Sequence, residues 1–214
     1  MVNEVLWFFM PPTAFLFDIG NVLVHFDFKE ASRRFAEQSD ATPDEVLAVL
    51  LPFKNRLESG RISDDDFITQ STARIGFRGS REDFITIWGN IFAQNPPMSK
   101  LVERLSHIAP LYLLSNNHGL HKEWLFTHFE IFRHFKGAVF SHEVGCMKPH
   151  VAIYRKAIGQ FSLQPEQTFF LDDLPDNIAT ARHLGFICHQ YHSESHEDLE
   201  AVVSRWLSTI SVCE

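Results

Sequence analysis

Short apolar runs, each cut off by polar or small residues, recur along the 214-residue chain at 13–17, 111–114, 138–141, 168–171 and 186–189. The stretches 101–108, 118–128, 151–160, 178–184 and 196–207 follow a helical period instead. An apolar run of four or five residues between turn signals fits a strand buried on both faces, and strands alternating with helices build a parallel sheet with helices on both sides. The expected fold class is therefore α/β, a doubly wound, Rossmann-like parallel sheet.

Residues 28–93 interrupt that alternation directly after the first strand. Start signals recur there: Thr42-Pro43-Asp44-Glu45, Ser63-Asp64-Asp65-Asp66 and Ser80-Arg81-Glu82-Asp83 each place a hydroxyl N-cap before acidic residues, and Gly60, Gly76 and Gly79 mark the joints. About four helices and no strand are expected. An inserted helical subdomain explains such a stretch better than a long irregular loop does. The expected organisation is a core of 13–27 and 94–214, a helical insertion of 28–93 and an N-terminal extension of 1–12.

Composition narrows the partners. The formal charge is −8 and no basic stretch is longer than Arg33-Arg34, so nucleic-acid binding is not expected. An anionic ligand would need local positive charge or a metal. The opening MVNEVLWFFMPP is apolar but short, carries Glu4 and no Lys or Arg, and resembles neither a signal peptide nor a membrane span. Trp7, Phe8 and Phe9 in it are candidates for an oligomer contact or for packing on the core. Three widely spaced cysteines, Cys146, Cys188 and Cys213, show no disulfide framework or CxxC pair, and a cytoplasmic location with free thiols is expected. Phenylalanine numbers 21 against three tyrosines, so the core should bury unsubstituted rings that need no hydrogen-bond partner.

Ligands of open parallel sheets bind outside the carboxyl ends of the strands. The first strand ends in Asp18, the second in Ser115-Asn116-Asn117, and the strand at 168–171 in Asp172-Asp173, while Lys148 follows the 138–141 strand. Taken singly, each has a plain reading. An Asp at a strand end forms turns or caps, Ser-Asn-Asn caps a helix, and a lone lysine is solvated. Four such motifs in order at strand ends are another matter. Clustered carboxylates repel unless a cation or proton relieves them, and oxygen ligands suit a hard cation such as Mg2+. With one lysine, such a cation could hold a phosphate against a carboxylate nucleophile.

The motifs FLFDIGNVLV (15–24), LLSNN (113–117), MKP (147–149) and FFLDDLPDN (169–177) resemble those of the haloacid dehalogenase (HAD) superfamily, in its branch with a helical cap after the first motif. The resemblance covers nearly the whole chain from residue 13, with 28–93 matching a four-helix cap. It implies hydrolysis of a small phosphorylated metabolite with Asp18 as nucleophile. Mg2+ would be held by Asp18, the Gly20 carbonyl and Asp173. Asp172 and Asp176 or Asn177 would stand behind these ligands and orient them. Ser115, the Asn116 backbone N–H and Lys148 would grip the phosphate.

One departure stands out. Phosphatases of the family carry a second Asp two residues after the nucleophile, as the acid–base for the leaving oxygen; this chain has Gly20 there. General acid–base help is worth about 10²–10⁴ in rate. Three readings follow. A branch with this Asp-x-Gly-Asn-Val form resembles sugar-phosphate phosphatases, where an acidic leaving group, or His25 or Asp27 nearby, would relieve the need. A carbon–halogen hydrolase also lacks the second Asp, but works without metal and does not need the Asp172-Asp173 pair. A catalytically weak phosphate-binding protein is the third.

Elsewhere the plain readings are preferred. Among 12 histidines, His118 and His121 share a helical face and His189, His192 and His196 cluster late; all are expected to be incidental surface residues. Arg56, Glu58 and Arg61 flank Gly60 and are expected to be solvated helix-end charges, although an arginine there could reach an anionic substrate.

Overall fold

The computed structural model describes residues 11–210. Its first part runs β1 (Ala14–Phe17), β2 (Val24–Phe26), α1 (Phe28–Glu37), α2 (Pro43–Glu58), α3 (Asp64–Ile75), α4 (Arg81–Gly89) and β3 (Phe92–Gln94). Then come α5 (Pro96–Ser106), β4 (Leu111–Ser115), α6 (Gly119–His128), β5 (Phe135–Phe140), α7 (Ser141–Val144) and α8 (Val151–Phe161). The chain closes with β6 (Thr168–Asp172), α9 (Pro175–His183), β7 (Ile187–Gln190) and α10 (His196–Ile210). Residues 1–10, with Trp7, Phe8 and Phe9, and Cys213 lie outside the described residues. No helix among those described is long and apolar enough to cross a membrane.

Five strands form one parallel sheet in the order β5-β4-β1-β6-β7. β1 is its centre, and it is buried on both faces. Phe15 and Phe17 join an aromatic layer on one side, while Ala14 and Leu16 join a second apolar layer on the other. A strand covered on both faces has no solvent side to mark, so its sequence reads as a continuous apolar run. Phe17 pairs with Leu113 of β4 and with Leu171 of β6, so β1, β4 and β6 end at one level. The chain leaves β1 toward β4 and β5, then returns to β6 on the other side. The strand order therefore reverses beside β1, at the edge where doubly wound sheets take their ligands.

The inserted helices α1–α4 have an apolar cluster of their own, including Phe35, Phe67, Phe84 and Trp88. Phe67 and Phe84 meet edge to face at 5.8 Å, and Phe35 and Phe84 lie 4.7 Å apart. Two separate aromatic cores account for the excess of phenylalanine. The start signals act as expected: Thr42 and Ser80 form reciprocal capping boxes with Glu45 and Asp83, and Ser63 accepts from the Asp66 N–H.

Three elements differ from expectation. The expected absence of strands over 28–93 is corrected at its end, where β3 pairs antiparallel with β2, just ahead of the insertion. The two partners are far apart in sequence, and neither three-residue segment carries a local signal for its mate. α5 begins at Pro96 rather than at 101, because Asn95 caps it and Pro96-Pro97 occupies the first turn, where the missing N–H costs nothing. β5 begins at Phe135 rather than 138, with a register shift against Leu111 and Tyr112. Asn95 also ties the base of the insertion to the core through Val22 O (2.8 Å) and the Tyr191 hydroxyl (3.0 Å).

The insertion meets the core where side chains are missing. At Gly60, just past α2, a Cβ would stand 2.6 Å from the His142 carbonyl oxygen, and φ is +68°. Gly60→Ala should therefore destabilise the protein by at least about 1–2 kcal/mol from the left-handed backbone alone. Urea unfolding of the variant checks this; an unchanged midpoint would contradict it.

Candidate active site

The carboxyl ends of β1, β4 and β6 contribute to one cleft of about 300 Å³ between the edge of the sheet and α2. Asp18 follows β1, and its backbone N–H donates to Leu171 O of β6 at 2.9 Å. Ser115 closes β4 on one side of it, and Asp172 closes β6 on the other. The parallel register alone brings these three together.

Lys148 links the two sides. Its Nζ lies 2.8 Å from Asp18 Oδ1 and 2.6 Å from Asp172 Oδ2, with the side chain almost wholly buried. Asn116 holds the backbone of that lysine: its Oδ1 accepts from Lys148 N (2.7 Å) and its Nδ2 donates to Lys148 O (2.9 Å). Asp172 is fully buried and also accepts from Leu174 N (2.9 Å) and Asn177 Nδ2 (2.8 Å). A buried carboxylate needs such partners, because desolvation without them costs several kcal/mol.

Asp173 stands half-buried beside the pair and accepts from Asn21 Nδ2 at 3.0 Å. Asn21 has φ +54°, a left-handed conformation that Asn tolerates better than most side chains. The turn after Asp18 thus does two things. Asn21 reverses the chain and reaches across to β6. Gly20 passes under Phe26, whose ring would lie 3.0 Å from any Cβ placed there.

The charges are out of balance. Carboxylate oxygens of Asp18, Asp172 and Asp173 lie within 4.8 Å of one another, and among the described residues Lys148 is the one cation paired with them. Burial pushes the Asp18 carboxyl up to about 7, with Lys148 opposing and Asp172 adding to the rise. Asp173 is raised as well, by desolvation first. Burial of Lys148 works against its charge, but the two carboxylates outweigh burial and hold its ammonium above the ordinary value.

The structure gathers Asp18, Gly20, Ser115, Asn116, Lys148, Asp173 and Asn177 on the cleft wall, with Asp172 directly behind. Asp176 is exposed and does not line the cleft; of the two residues weighed for support behind Asp172, Asn177 alone bonds to it. His25 pairs with Ala93 across the β2–β3 ribbon, and Asp27 caps α1. Neither lines the cleft.

Two expectations are corrected. His118 and His121 are buried rather than on the surface, stacked on Trp88 with centroids 6.1 and 5.1 Å away. His121 Nε2 bonds to Trp88 O at 2.9 Å, and its ring forms part of the cleft. Glu58 is likewise buried rather than solvated: it pairs with Lys54 at 2.8 Å, and both face the cleft. Arg56 and Arg61 are exposed. Sequence reasoning missed Lys54, Asn55, Glu58 and His121. Lys54 and Glu58 sit one turn apart, a spacing common on solvated helix faces, so only the docked insertion shows where they point. Asn21 had a readable signal, since Gly-Asn after a strand marks a turn with a left-handed residue.

Comparison with known proteins adds three findings. The sequence family described as haloacid dehalogenase-like hydrolase matches residues 12–185. A HAD family enzyme from Bacteroides thetaiotaomicron superposes with a TM-score of 0.76 at 21% identity, covering 86% of this chain and 95% of that one. The same enzyme has a structure in complex with magnesium and inorganic phosphate, at a TM-score of 0.74, 21% identity and coverage of 85% and 95%. A predicted HAD-like hydrolase from Porphyromonas gingivalis gives 0.75 at 26% identity, covering 92% and 98%.

The buried histidines make stability depend on pH. Desolvation pushes His121 down to about 3 and His118 well below its ordinary value. Below pH 6.5 the unfolded chain takes up protons that the folded chain refuses, so these groups lower stability as pH falls. For His121 the loss is about 2 kcal/mol at pH 5, and His118 acts in the same direction. Asp18 and Asp173, with raised values, act in the opposite sense, so the informative quantity is a difference between proteins. His121→Gln should lose about 2 kcal/mol less than wild type between pH 7.5 and 5, measured by urea unfolding. Parallel pH profiles would contradict this.

Proposed function

The chain belongs to the haloacid dehalogenase-like hydrolases, and from that premise we propose that it is a magnesium-dependent phosphatase acting on a small phosphate monoester, with sugar phosphates the first class to test. The observation that carries the reading is Lys148 bridging Asp18 and Asp172 at the mouth of β1, with Ser115 on the adjoining strand.

The donor set fits magnesium. Three carboxylates cluster with one lysine, and two of them resist ionisation in the absence of a further cation. All-oxygen ligation is what a small hard cation takes. Asp18, the Gly20 carbonyl and Asp173 would hold it, with Asp172 and Asn177 orienting them from behind. When bound, the ion neutralises charge on the phosphate oxygens. That the Bacteroides enzyme binds magnesium and phosphate supports the same assignment here.

In this reading the second Asp18 oxygen attacks phosphorus and forms an aspartyl-phosphate, which water then hydrolyses. Lys148 brings positive charge to the phosphoryl group and fixes the Asp18 carboxylate, so the nucleophile needs no reorientation. The Ser115 hydroxyl and the Asn116 N–H donate to the phosphate oxygens. Helices α1–α4 serve as a cap: Lys54, Asn55 and Glu58 from α2 wall the side where the leaving group sits, and Phe26, Phe28 and Phe92 line it.

Wild type with magnesium should hydrolyse p-nitrophenyl phosphate and at least one sugar phosphate, and chelator should remove both activities. Asp18→Asn should lower kcat by about 10³-fold or more, as losing a nucleophile does. Full activity in chelator, or halide release from 2-haloacids that persists there, would overturn the phosphatase reading.

A further inference from the structure

Gly20 leaves the reaction without the family's acid–base residue, and the cleft itself narrows what can replace it. Six titratable side chains line it: Asp18, Lys54, Glu58, His121, Lys148 and Asp173. Asp18 is the proposed nucleophile and Asp173 the proposed metal ligand. Lys148 is locked between two carboxylates. His121 has its Nε2 committed to Trp88 O, and burial keeps the ring neutral, so it has no proton to give at the other nitrogen. His25 and Asp27 stand outside. Lys54 and Glu58 remain, joined to each other on α2 and lining the cleft that holds Asp18, with Lys148 close enough to act on the Glu58 charge.

We propose that Glu58, delivered by the helical insertion, is the acid–base residue of this hydrolase. The inference rests on the phosphatase reading above. In the first step Asp18 bonds to phosphorus, the phosphorus–oxygen bond to the leaving group breaks, and that oxygen takes the proton of the Glu58 carboxyl. Glu58, now a carboxylate, is held by the Lys54 ammonium. In the second step Glu58 takes a proton from water as the water oxygen bonds to phosphorus. The phosphorus–oxygen bond to Asp18 then breaks, releasing phosphate and restoring the Asp18 carboxylate and the Glu58 carboxyl.

The surroundings suit this cycle. Glu58 is 5% exposed, and desolvation raises its carboxyl above the ordinary range while Lys54 and, more weakly, Lys148 oppose. Lys54 lies over the Phe28 ring at 5.4 Å, which holds the ammonium in place. The Glu58 backbone is anchored too: its carbonyl accepts from Ser141 Oγ of α7 at 2.5 Å. The charged groups acting on it are thus Lys54 from α2 and Lys148 from the loop before α8, and the His121 ring of α6 lines the same cleft. Because Glu58 comes from the insertion, only a docked insertion completes the site.

The test uses the full chain with magnesium and two substrates, p-nitrophenyl phosphate, whose leaving group needs no proton, and glycerol phosphate, whose leaving group does. Glu58→Gln should lower kcat on glycerol phosphate by about 10²–10⁴-fold. On p-nitrophenyl phosphate it should still give a rapid burst of one nitrophenolate per enzyme. Slow turnover follows the burst, with the added phosphoryl group visible by intact mass. Equal loss on both substrates without a burst, or no loss on either, overturns the role of Glu58. Lys54→Met provides a second variant that keeps the carboxyl. It should move the alkaline limb of the glycerol phosphate kcat profile to higher pH, and an unmoved limb overturns the proposal. Wild type that turns over neither substrate and forms no phosphoenzyme overturns the phosphatase reading, and Glu58 with it. Wild-type turnover with a silent Glu58→Gln overturns Glu58 alone.

Discussion

The ammonium of Lys148, buried between Asp18 and Asp172, is the contact on which the rest of the site depends. Two carboxylates this close, removed from water, would each favour the protonated form. One lysine between them lets charge persist, at the cost of burying a third ion. That arrangement is stable only if every member is held, because a broken buried pair leaves an unpaired charge worth several kcal/mol. The structure meets the demand on all sides. Asn116 bonds twice to the lysine backbone, and Asn177 and the Leu174 N–H hold Asp172. Asp173 remains in excess of the available positive charge. That residual negative charge is what the proposed magnesium ion would neutralise.

Around this centre the molecule divides its labour. The sheet supplies rigid strand ends, so Asp18, Ser115 and Asp172 are placed by parallel register, while Lys148 comes from the loop before α8 and is held there by Asn116. The helical insertion has its own aromatic core and touches the sheet domain at close-packed joints: Gly60 against His142, and Gly89 against Trp124. Between them lie the buried histidines, which fill the seam with rings that must stay neutral. The insertion's proposed contribution to chemistry comes from one turn of α2, where Lys54 and Glu58 line the cleft.

Much of this was legible in the chain itself. β1, β4 and β6 announced themselves because strands buried on both faces must be continuously apolar, and the polar residue that ends each one must then sit at the sheet edge. The family motifs located Asp18, Ser115, Lys148 and Asp172-Asp173 for the same reason. Asp176 and Asn177 show where such reading stops. Both follow the motif, and only the rotation of α9 turns one toward Asp172 and the other toward solvent.

By itself, then, the sequence determined the sheet, the insertion and the residues at the strand ends, since apolar periodicity and helix capping act over a few neighbouring residues. Tertiary structure decided the rest. The β2–β3 ribbon depends on a partner distant in sequence. His118 and His121 look like surface residues until Trp88 covers them. Lys54 and Glu58 look like an ordinary helical ion pair until docking of the insertion places them on the wall of the cleft that holds Asp18. For the histidines and for Lys54 and Glu58 the deciding quantity is loss of contact with water, which is fixed by what packs against a side chain and not by the residues beside it in the chain.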